Sequence, residues 1–97
     1  MEPVHKVEII ISSPKLEQVL KILDKIGVSD YTVIDNATGR GDRYFTDIDL
    51  DKVFSNAYIL TVCTNQQQLD LLIQEITPLL KKIGGICLVT ESAWINH

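Results

Sequence analysis

The sequence predicts an α+β fold in which a four-stranded antiparallel sheet, with strand order 4-1-3-2, carries two helices on one face. Segments with strand and helix periodicity follow the order strand, helix, strand, then strand, helix, strand along the 97 residues. Both predicted helices end in Lys-Ile-Gly, at Lys25 to Gly27 and at Lys82 to Gly84, just before a strand. Two such βαβ units with right-handed crossovers interleave into a ferredoxin-like βαββαβ arrangement.

The first half of the chain contains a predicted strand, helix and strand. Val7 to Ser12 includes three successive isoleucines, which predicts a strand with apolar side chains on both faces. Ser13 is expected to cap the next helix, because Pro14 suits a first helical position that needs no backbone N–H. The helix ends at Gly27, and Tyr31 to about Asp35, rich in β-branched residues, predicts the second strand. The apolar stripe of the helix consists of Leu16, Val19, Leu20, Leu23 and Ile26.

The third predicted strand and the start of the second helix follow a long polar loop. Ala57 to Cys63 has the apolar and β-branched composition of a strand. Thr64 or Asn65 is expected to begin the second helix, with Gln67 or Gln68 placed to complete a capping box.

The second helix carries the longer apolar stripe. Pro78 is expected to bend it, and Gly84 and Gly85 are expected to end it. The last strand is predicted over Ile86 to Ile95. The stripe consists of Leu69, Leu72, Ile73, Ile76, Leu79, Leu80 and Ile83.

One face of the predicted sheet has no helix to cover it. The segments "EIII" and "ICLV" provide apolar side chains for both faces, and an uncovered apolar face usually belongs to an interface. We therefore expect a homo-oligomer.

Composition excludes several classes of function. The net charge of -4 opposes broad contact with nucleic acid, and no apolar run approaches the ~20 residues that span a bilayer. The start "MEPVHKVEIII" has neither a basic segment nor a cleavage site, so a cytoplasmic location is expected. Cys63 and Cys87 are expected to be reduced, because the fold places them on strands that the first strand separates.

The segment "ATGRGDRYFTDIDLD", residues 37–51, contains both arginines of the chain. Gly39 and Gly41 allow positive φ, and backbone N–H groups in such turns converge into anion-binding nests. Arg40 or Arg43 would add charge-assisted hydrogen bonds to a phosphate. The alternative is a polar loop whose glycines only form turns, and spacing alone leaves both interpretations open.

No enzymatic or metal site is predicted. His5 and His97 have no cysteine or carboxylate at ligand spacing, and no serine or cysteine has a recognisable general base. Asp47, Asp49 and Asp51 alternate as in a calcium loop, but the glycine and glutamate of an EF-hand are missing. The triplet Arg-Gly-Asp at residues 40–42 is interpreted as coincidence, and an aromatic platform for RNA is absent from the first strand.

The segment "SPKLEQVLKILDKIGVSDYTVIDNATGRG" resembles the opening of PII signalling proteins. In that family a Lys-Leu-x-x-Val helix precedes a glycine, a Thr-Val strand and a Gly-x-Gly at the base of the long T-loop. The ending "KKIGGICLVTESAW" is more similar to PII-like relatives of the carboxysome-associated and bicarbonate-transport-associated branch. The matching residues are Lys15, Leu16, Val19, Leu23, Gly27, Thr32, Val33, Gly39 and Gly41.

The resemblance implies a single domain over residues 1–97 that forms a homotrimer. It implies an adenine nucleotide (AMP, ADP, ATP or cyclic AMP) in the clefts between subunits. It also implies a T-loop at about 41–55 that docks on a target protein, such as a membrane transporter or an enzyme. The implied nucleotide-binding residues are Asp30, Tyr31, Thr32 and Val62 at the base, and Gly39, Arg40, Gly41, Arg43, Gly84 and Gly85 at the phosphates.

The chain also departs from the nitrogen regulators. "KKIGGIC" is shorter than their glycine-rich phosphate loop and lacks its lysine, and Asp42 stands where they often have arginine. Each missing charge-assisted hydrogen bond is worth ~1.5 to 3 kcal/mol, so weaker triphosphate binding is expected. Two alternatives share the fold: a CutA-like trimer linked to metal tolerance, and an ACT-like or structural subunit without a nucleotide.

Overall fold

The computed structural model describes residues 1–39 and 55–97, which form one four-stranded antiparallel sheet and two α-helices. The sheet order is β2-β3-β1-β4, which is the predicted order 4-1-3-2 counted from the other edge. A 3-10 turn, Ser13–Lys15, precedes the first helix. The elements are β1 Glu2–Ser12, α1 Leu16–Ile26, β2 Tyr31–Thr38, β3 Ser55–Cys63, α2 Gln66–Ile83 and β4 Ile86–Trp94.

The central strand β1 begins five residues earlier than the side-chain pattern predicts. Its first residues pair with the end of β4, where Glu2 lies opposite Trp94 and Val4 opposite Ser92. Further along, Ile9 lies between Ile59 of β3 and Cys87 of β4. Pairing with β4 therefore extends β1 back to Glu2, and pairing with β3 begins at His5, through residues that gave no strand signal.

Both helices pack on one face of the sheet, as predicted. Alternate residues of β1 and β3 meet the apolar stripes of α1 and α2 in a single core. Leu23 and Leu72, from the two helices, are inaccessible to solvent, as is Ile9 beneath them. The core residues are Val7, Ile9, Ile11, Val19, Leu23, Ala57, Ile59, Cys63, Leu69, Leu72 and Ile76.

The start of α2 is capped by the predicted residues Asn65 and Gln68, although the Gln68 side chain reaches back to the residue before the N-cap. The Asn65 side chain accepts a hydrogen bond from the backbone N–H of Gln68 at 2.8 Å. Gln68 Oε1 in turn accepts from the N–H of Thr64 at 3.1 Å. The Gln68 amide also donates to the carbonyl of Gly27 at 3.0 Å, so it joins the start of α2 to the end of α1.

The prediction that Ser13 caps α1 is wrong. The α-helix begins only at Leu16, and no side-chain cap is present at its first turn or at that of the 3-10 turn. The Ser13 hydroxyl donates instead to Asp35 Oδ1 at 2.6 Å. In an N-cap the serine oxygen would accept from a backbone N–H. Here the hydroxyl instead donates a charge-assisted hydrogen bond to a carboxylate 22 residues away.

The helix α2 continues through Pro78 and ends at Ile83, with Gly84 as its C-terminal cap. The Thr77 hydroxyl donates to the carbonyl of Ile73 at 2.6 Å, one residue before the proline. The bend expected at Pro78 stays a prediction. Neither described helix combines the length and hydropathy needed to cross a membrane.

Candidate functional site at the base of the loop

A cluster of hydrogen-bonded polar side chains joins three segments where β2 and β3 meet the loop. Asp35 and Asn36 lie near the end of β2, Ser55 begins β3, and Ser13 follows β1. Ser13 Oγ lies 2.8 Å from Ser55 Oγ, and Ser55 donates to Asn36 Oδ1 at 3.1 Å. We call Ser13, Asp35, Asn36 and Ser55 the base cluster, because it ties both ends of the loop to the end of β1.

Asp35 carries the negative charge of the base cluster. Its Oδ1 accepts from the Ser13 hydroxyl at 2.6 Å and from the backbone N–H of Asn36 at 2.7 Å. These two hydrogen bonds hold the pKa of the Asp35 carboxyl below its ordinary value, and the bond from Ser13 has the larger effect. The carboxylate is exposed, so it remains accessible to solvent and ligands.

Asn36 adopts a left-handed backbone conformation, with φ of 60°. The pairing of β2 with β3 shifts register at this point, between Ile34 and Ala37. Asparagine tolerates positive φ better than most residues, which suits it to such an irregularity. Beyond it, the Asn56 amide donates to the carbonyl of Ala37 at 3.2 Å and restores the contact between the strands.

A glycine corner, Gly84 and Gly85, connects α2 to β4 at the same end of the sheet. Gly85 has φ of 114°, and a Cβ there would lie 2.8 Å from the carbonyl oxygen of Ile10. A side chain therefore cannot be placed at Gly85 without displacing β1. Close packing against β1 therefore accounts for a glycine at position 85, independently of any contact with a phosphate. Lys81 and Lys82 occupy the turn of α2 just before it.

The residues predicted to contact a nucleotide base occupy another part of the sheet. Thr32 and Val62 both point to the face without helices, where Thr32 pairs with Leu60 and Val62 with Lys6. Tyr31 turns the other way and packs against the edge of the core. Asp30 is exposed, and its backbone carbonyl accepts from the Thr61 hydroxyl at 2.8 Å.

Along the strands, the residues predicted to contact the base are separated from those predicted to contact the phosphates. Val62 lies opposite Lys6, whereas the glycine corner lies beside Ile10, the residue that pairs with Ile86. Four residues of β1 span about 13 Å at ~3.3 Å per residue. Gly39 is exposed and lies at the end with the glycine corner, one residue after β2.

Several predicted residues lie outside the described part of the chain. These are Arg40, Gly41 and Arg43, the aspartates of the calcium-like alternation, and most of the proposed T-loop at about 41–55. The anion nest predicted for this segment therefore stays a prediction.

Sequence reasoning missed the base cluster. The sequence predicts a helix cap at Ser13, the end of a strand at Asp35 and the end of the T-loop at Ser55, and it predicts no role for Asn36. A polar Asp-Asn pair directly after an apolar strand was the available signal, since such residues favour irregular backbone. Their partners lie 19 to 42 residues away in sequence.

The two thiols belong to the core rather than to a reactive site. Both cysteines are free, as predicted, and β1 separates their strands. Burial, and then the neighbouring Cys63, raises the pKa of Cys87 to about 11. Burial also raises the pKa of Cys63. A thiol with a raised pKa is a poor nucleophile at neutral pH.

A shallow groove of about 600 Å³ lies at the end of the sheet away from the loop. It is lined by the start of β1, the start of α2 and the end of β4, including His5 and Glu91. None of the residues predicted to bind a nucleotide lines it. Across residues 1–39 and 55–97, no three His, Cys, Asp or Glu side chains converge as metal ligands.

Comparison with known proteins identifies relatives of the chain. Residues 4–96 match the family model described as Nitrogen regulatory protein P-II. Comparison with curated proteins gave no match.

Solved structures with the same fold cover nearly the whole chain. CPII, a nitrogen regulatory PII-like protein from Thiomonas intermedia K12, bound to ADP, AMP and bicarbonate, has a TM-score of 0.77. It is 22% identical, and the alignment covers 93% of this chain and 90% of CPII. The GlnK–ATP complex of B. subtilis has a TM-score of 0.67 at 23% identity, and the alignment covers 94% of this chain and 84% of GlnK.

Proposed function

The chain belongs to the nitrogen regulatory protein P-II family, and on this basis we propose that it is a non-enzymatic regulator that binds an adenine nucleotide. In this proposal the whole chain acts as one domain and assembles as a homotrimer, with the nucleotide held between copies. The loop at about 41–55 contacts a target protein and reports whether the site is filled. A ligand can act in this way only through contacts that differ between loop conformations.

The observation that carries the proposal is the position of Thr32 and Val62 on the face without helices. A base that touches these residues lies on the surface that a second copy would cover. The likeness to CPII bound to ADP, AMP and bicarbonate, and to the GlnK–ATP complex, supports an adenine nucleotide as the ligand.

The spacing of the two residue groups also suits an extended nucleotide. With the base at Val62, phosphates would reach toward Gly39 and the glycine corner, about 13 Å further along the strands. Lys81 and Lys82 precede that corner and contribute positive charge near it. The exposed carboxylate of Asp35 lies at the same end and opposes a high phosphate charge. We therefore infer a preference for AMP or ADP over ATP.

Titration calorimetry tests the ligand. AMP, ADP, ATP and cyclic AMP are titrated into the protein, each with and without bicarbonate. Binding that is lost in Arg43→Ala supports the site, because each charge-assisted hydrogen bond contributes ~1.5 to 3 kcal/mol, or about tenfold to hundredfold in Kd.

The control for this experiment is Lys21→Ala, which makes the same change of charge on an exposed part of α1. Its Kd should equal that of the parent protein. No heat of binding with any of the four nucleotides, from a protein that sediments as a trimer, would contradict nucleotide sensing.

A further inference from the structure

We propose that Lys6, Glu8 and Tyr58 form a polar lock that fixes how copies of this chain pack against one another through the open sheet face. The open face is the side of the sheet that carries neither helix. This inference rests on the proposed trimer and adds the residues that define its geometry.

The lock is built across two strands in the middle of the open face. The Tyr58 hydroxyl donates to Glu8 Oε2 at 2.6 Å, and Lys6 Nζ lies 3.6 Å from Glu8 Oε1. Tyr58 pairs with Ile10 and Glu8 with Leu60, so the hydrogen bond runs diagonally from β3 to β1. The hydrogen bond from Tyr58, and then the charge of Lys6, lower the pKa of Glu8, while desolvation opposes them.

Apolar side chains surround the lock. Ile34 and Leu88 are 58% and 54% exposed, large values for aliphatic residues in strands. A contiguous apolar surface of this kind is characteristic of an interface. The apolar residues of the face, taken from the register of the four strands, are Ile10, Ile34, Leu60, Val62, Ile86 and Leu88.

Charge identifies a second copy of this chain as the occupant. The chain carries a net charge of -4, so two copies repel each other at most contacts. The middle of the open face extends from the pair Lys6–Thr90 to the pair Ile10–Ile86. In the described part of this region the charged residues are Lys6 and Glu8, and they neutralise each other as an ion pair. An acidic copy therefore meets the least repulsion here, while a strongly basic or acidic partner finds no matching charge.

Burying the open face in an interface increases the contribution of the polar lock to the stability of the assembly. In the separate chain, water can replace Tyr58 as the donor to Glu8, so the bond contributes little. Inside a dry interface the carboxylate needs both partners, because an unpaired buried charge costs far more than an exposed one. A packing that separates these groups is then disfavoured, which selects one arrangement among those that the apolar surface permits.

The test measures the rate at which differently labelled copies of one protein exchange subunits. This rate is compared between the parent protein and two conservative variants. Tyr58→Phe and Glu8→Gln should exchange about tenfold to hundredfold faster, since each removes a charge-assisted hydrogen bond within the interface. Glu17→Gln makes the same charge change on the exposed surface of α1 and should exchange at the parent rate. Far-UV circular dichroism verifies that each variant is folded.

A triple variant separates specificity from affinity. Lys6→Leu, Glu8→Leu and Tyr58→Phe together make the face apolar, so the copies should still associate, but native mass spectrometry should detect several oligomer sizes. A trimeric parent protein with exchange rates within twofold for Tyr58→Phe and Glu8→Gln, or a triple variant that stays one trimer, would overturn the lock alone. A monomeric parent protein would overturn the proposed trimer as well.

Discussion

On the helix-covered face of the sheet, Val7, Ile9 and Ile59 are inaccessible to solvent, whereas Ile34 and Leu88 on the open face remain 58% and 54% exposed. The same strands supply both sets, because successive side chains of a strand point to opposite faces. The covered face is completed by α1 and α2 of its own chain, while the open face is apolar around one polar lock. The difference teaches that apolar composition alone does not distinguish a core from an interface.

The arrangement of polar groups does distinguish them. The side chains of the covered core are almost entirely apolar, and its cysteines are uncharged because burial raises their pKa values. The open face instead holds an ion pair and a tyrosine hydrogen bond that are satisfied within one chain. Such a surface can be exposed to water before assembly and desolvated after it without leaving an unpaired group.

The largest expected effect comes from truncating the same type of side chain on each face. Ile9→Ala should lower the free energy of unfolding by about 2 to 5 kcal/mol, because it leaves a cavity in a closed core. Leu88→Ala should cost about 1 kcal/mol or less in the separate chain, where that side chain is already half exposed. Urea unfolding at low protein concentration measures both values.

Repeating the urea measurement at high concentration sharpens the comparison. The cost of Leu88→Ala should grow as copies associate, while that of Ile9→Ala should stay constant. Equal costs for the two variants at every concentration would show that the open face is not an interface.

The sequence contained enough information for the fold because the covered face is periodic. Helical stripes and alternating strand residues meet there, and their spacing depends only on local geometry. The start of β1 at Glu2 was missed because backbone pairing with Trp94, which lies at the far end of the chain, extends that strand. The side chains of His5 and Lys6 carry no trace of such pairing.

The candidate site was less predictable, since its contacts join residues that are far apart in sequence. Ser13 finds Asp35 across 22 residues, and Tyr58 finds Glu8 across 50. The local pattern predicts a helix cap at Ser13 and no partner for Tyr58, whereas both hydroxyls donate to carboxylates that are distant in sequence. Gly85 shows the converse, because a glycine predicted at a phosphate site also has a steric requirement set by Ile10.

The second prediction concerns the boundary between the two faces, where a side chain at Gly85 would collide with both Ile10 and Ile11. A Cβ at Gly85 would lie 2.8 Å from the Ile10 carbonyl oxygen and 2.9 Å from Ile11 Cδ1, at φ of 114°. Gly85→Ala should therefore cost about 2 to 4 kcal/mol of unfolding free energy.

Gly27→Ala is the matched control for Gly85→Ala. It has φ of 79° but no atom within 4 Å of the added Cβ, so it should cost about 1 kcal/mol from backbone strain alone. Similar costs in the two variants, measured by thermal unfolding, would mean that the corner yields to a side chain and that the faces are less tightly joined than the contacts indicate.

The smallest expected effect is a shift in the pKa of Asp35 in the base cluster, with Glu8 on the open face as its comparison. Asp35 should titrate below its ordinary pKa of 3.8, and Ser13→Ala should raise its midpoint toward that value, because the stronger of its two hydrogen bonds is lost. Since the folded pKa is the lower one, the contribution of Asp35 to stability is present above pH 3.8 and is lost as the pH falls through the folded pKa. Carboxyl NMR titration measures the midpoint directly.

Glu8 serves as the internal reference in the same titration, since it lies on another strand and its donor is Tyr58. Its midpoint, also below the ordinary value, should not move in Ser13→Ala, and Ser29→Ala on the exposed surface should move neither group. A shift of Glu8 together with Asp35 would mean that the base cluster and the polar lock respond as one unit. The open face would then be coupled to the loop, and a ligand bound at the base could alter how the copies pack.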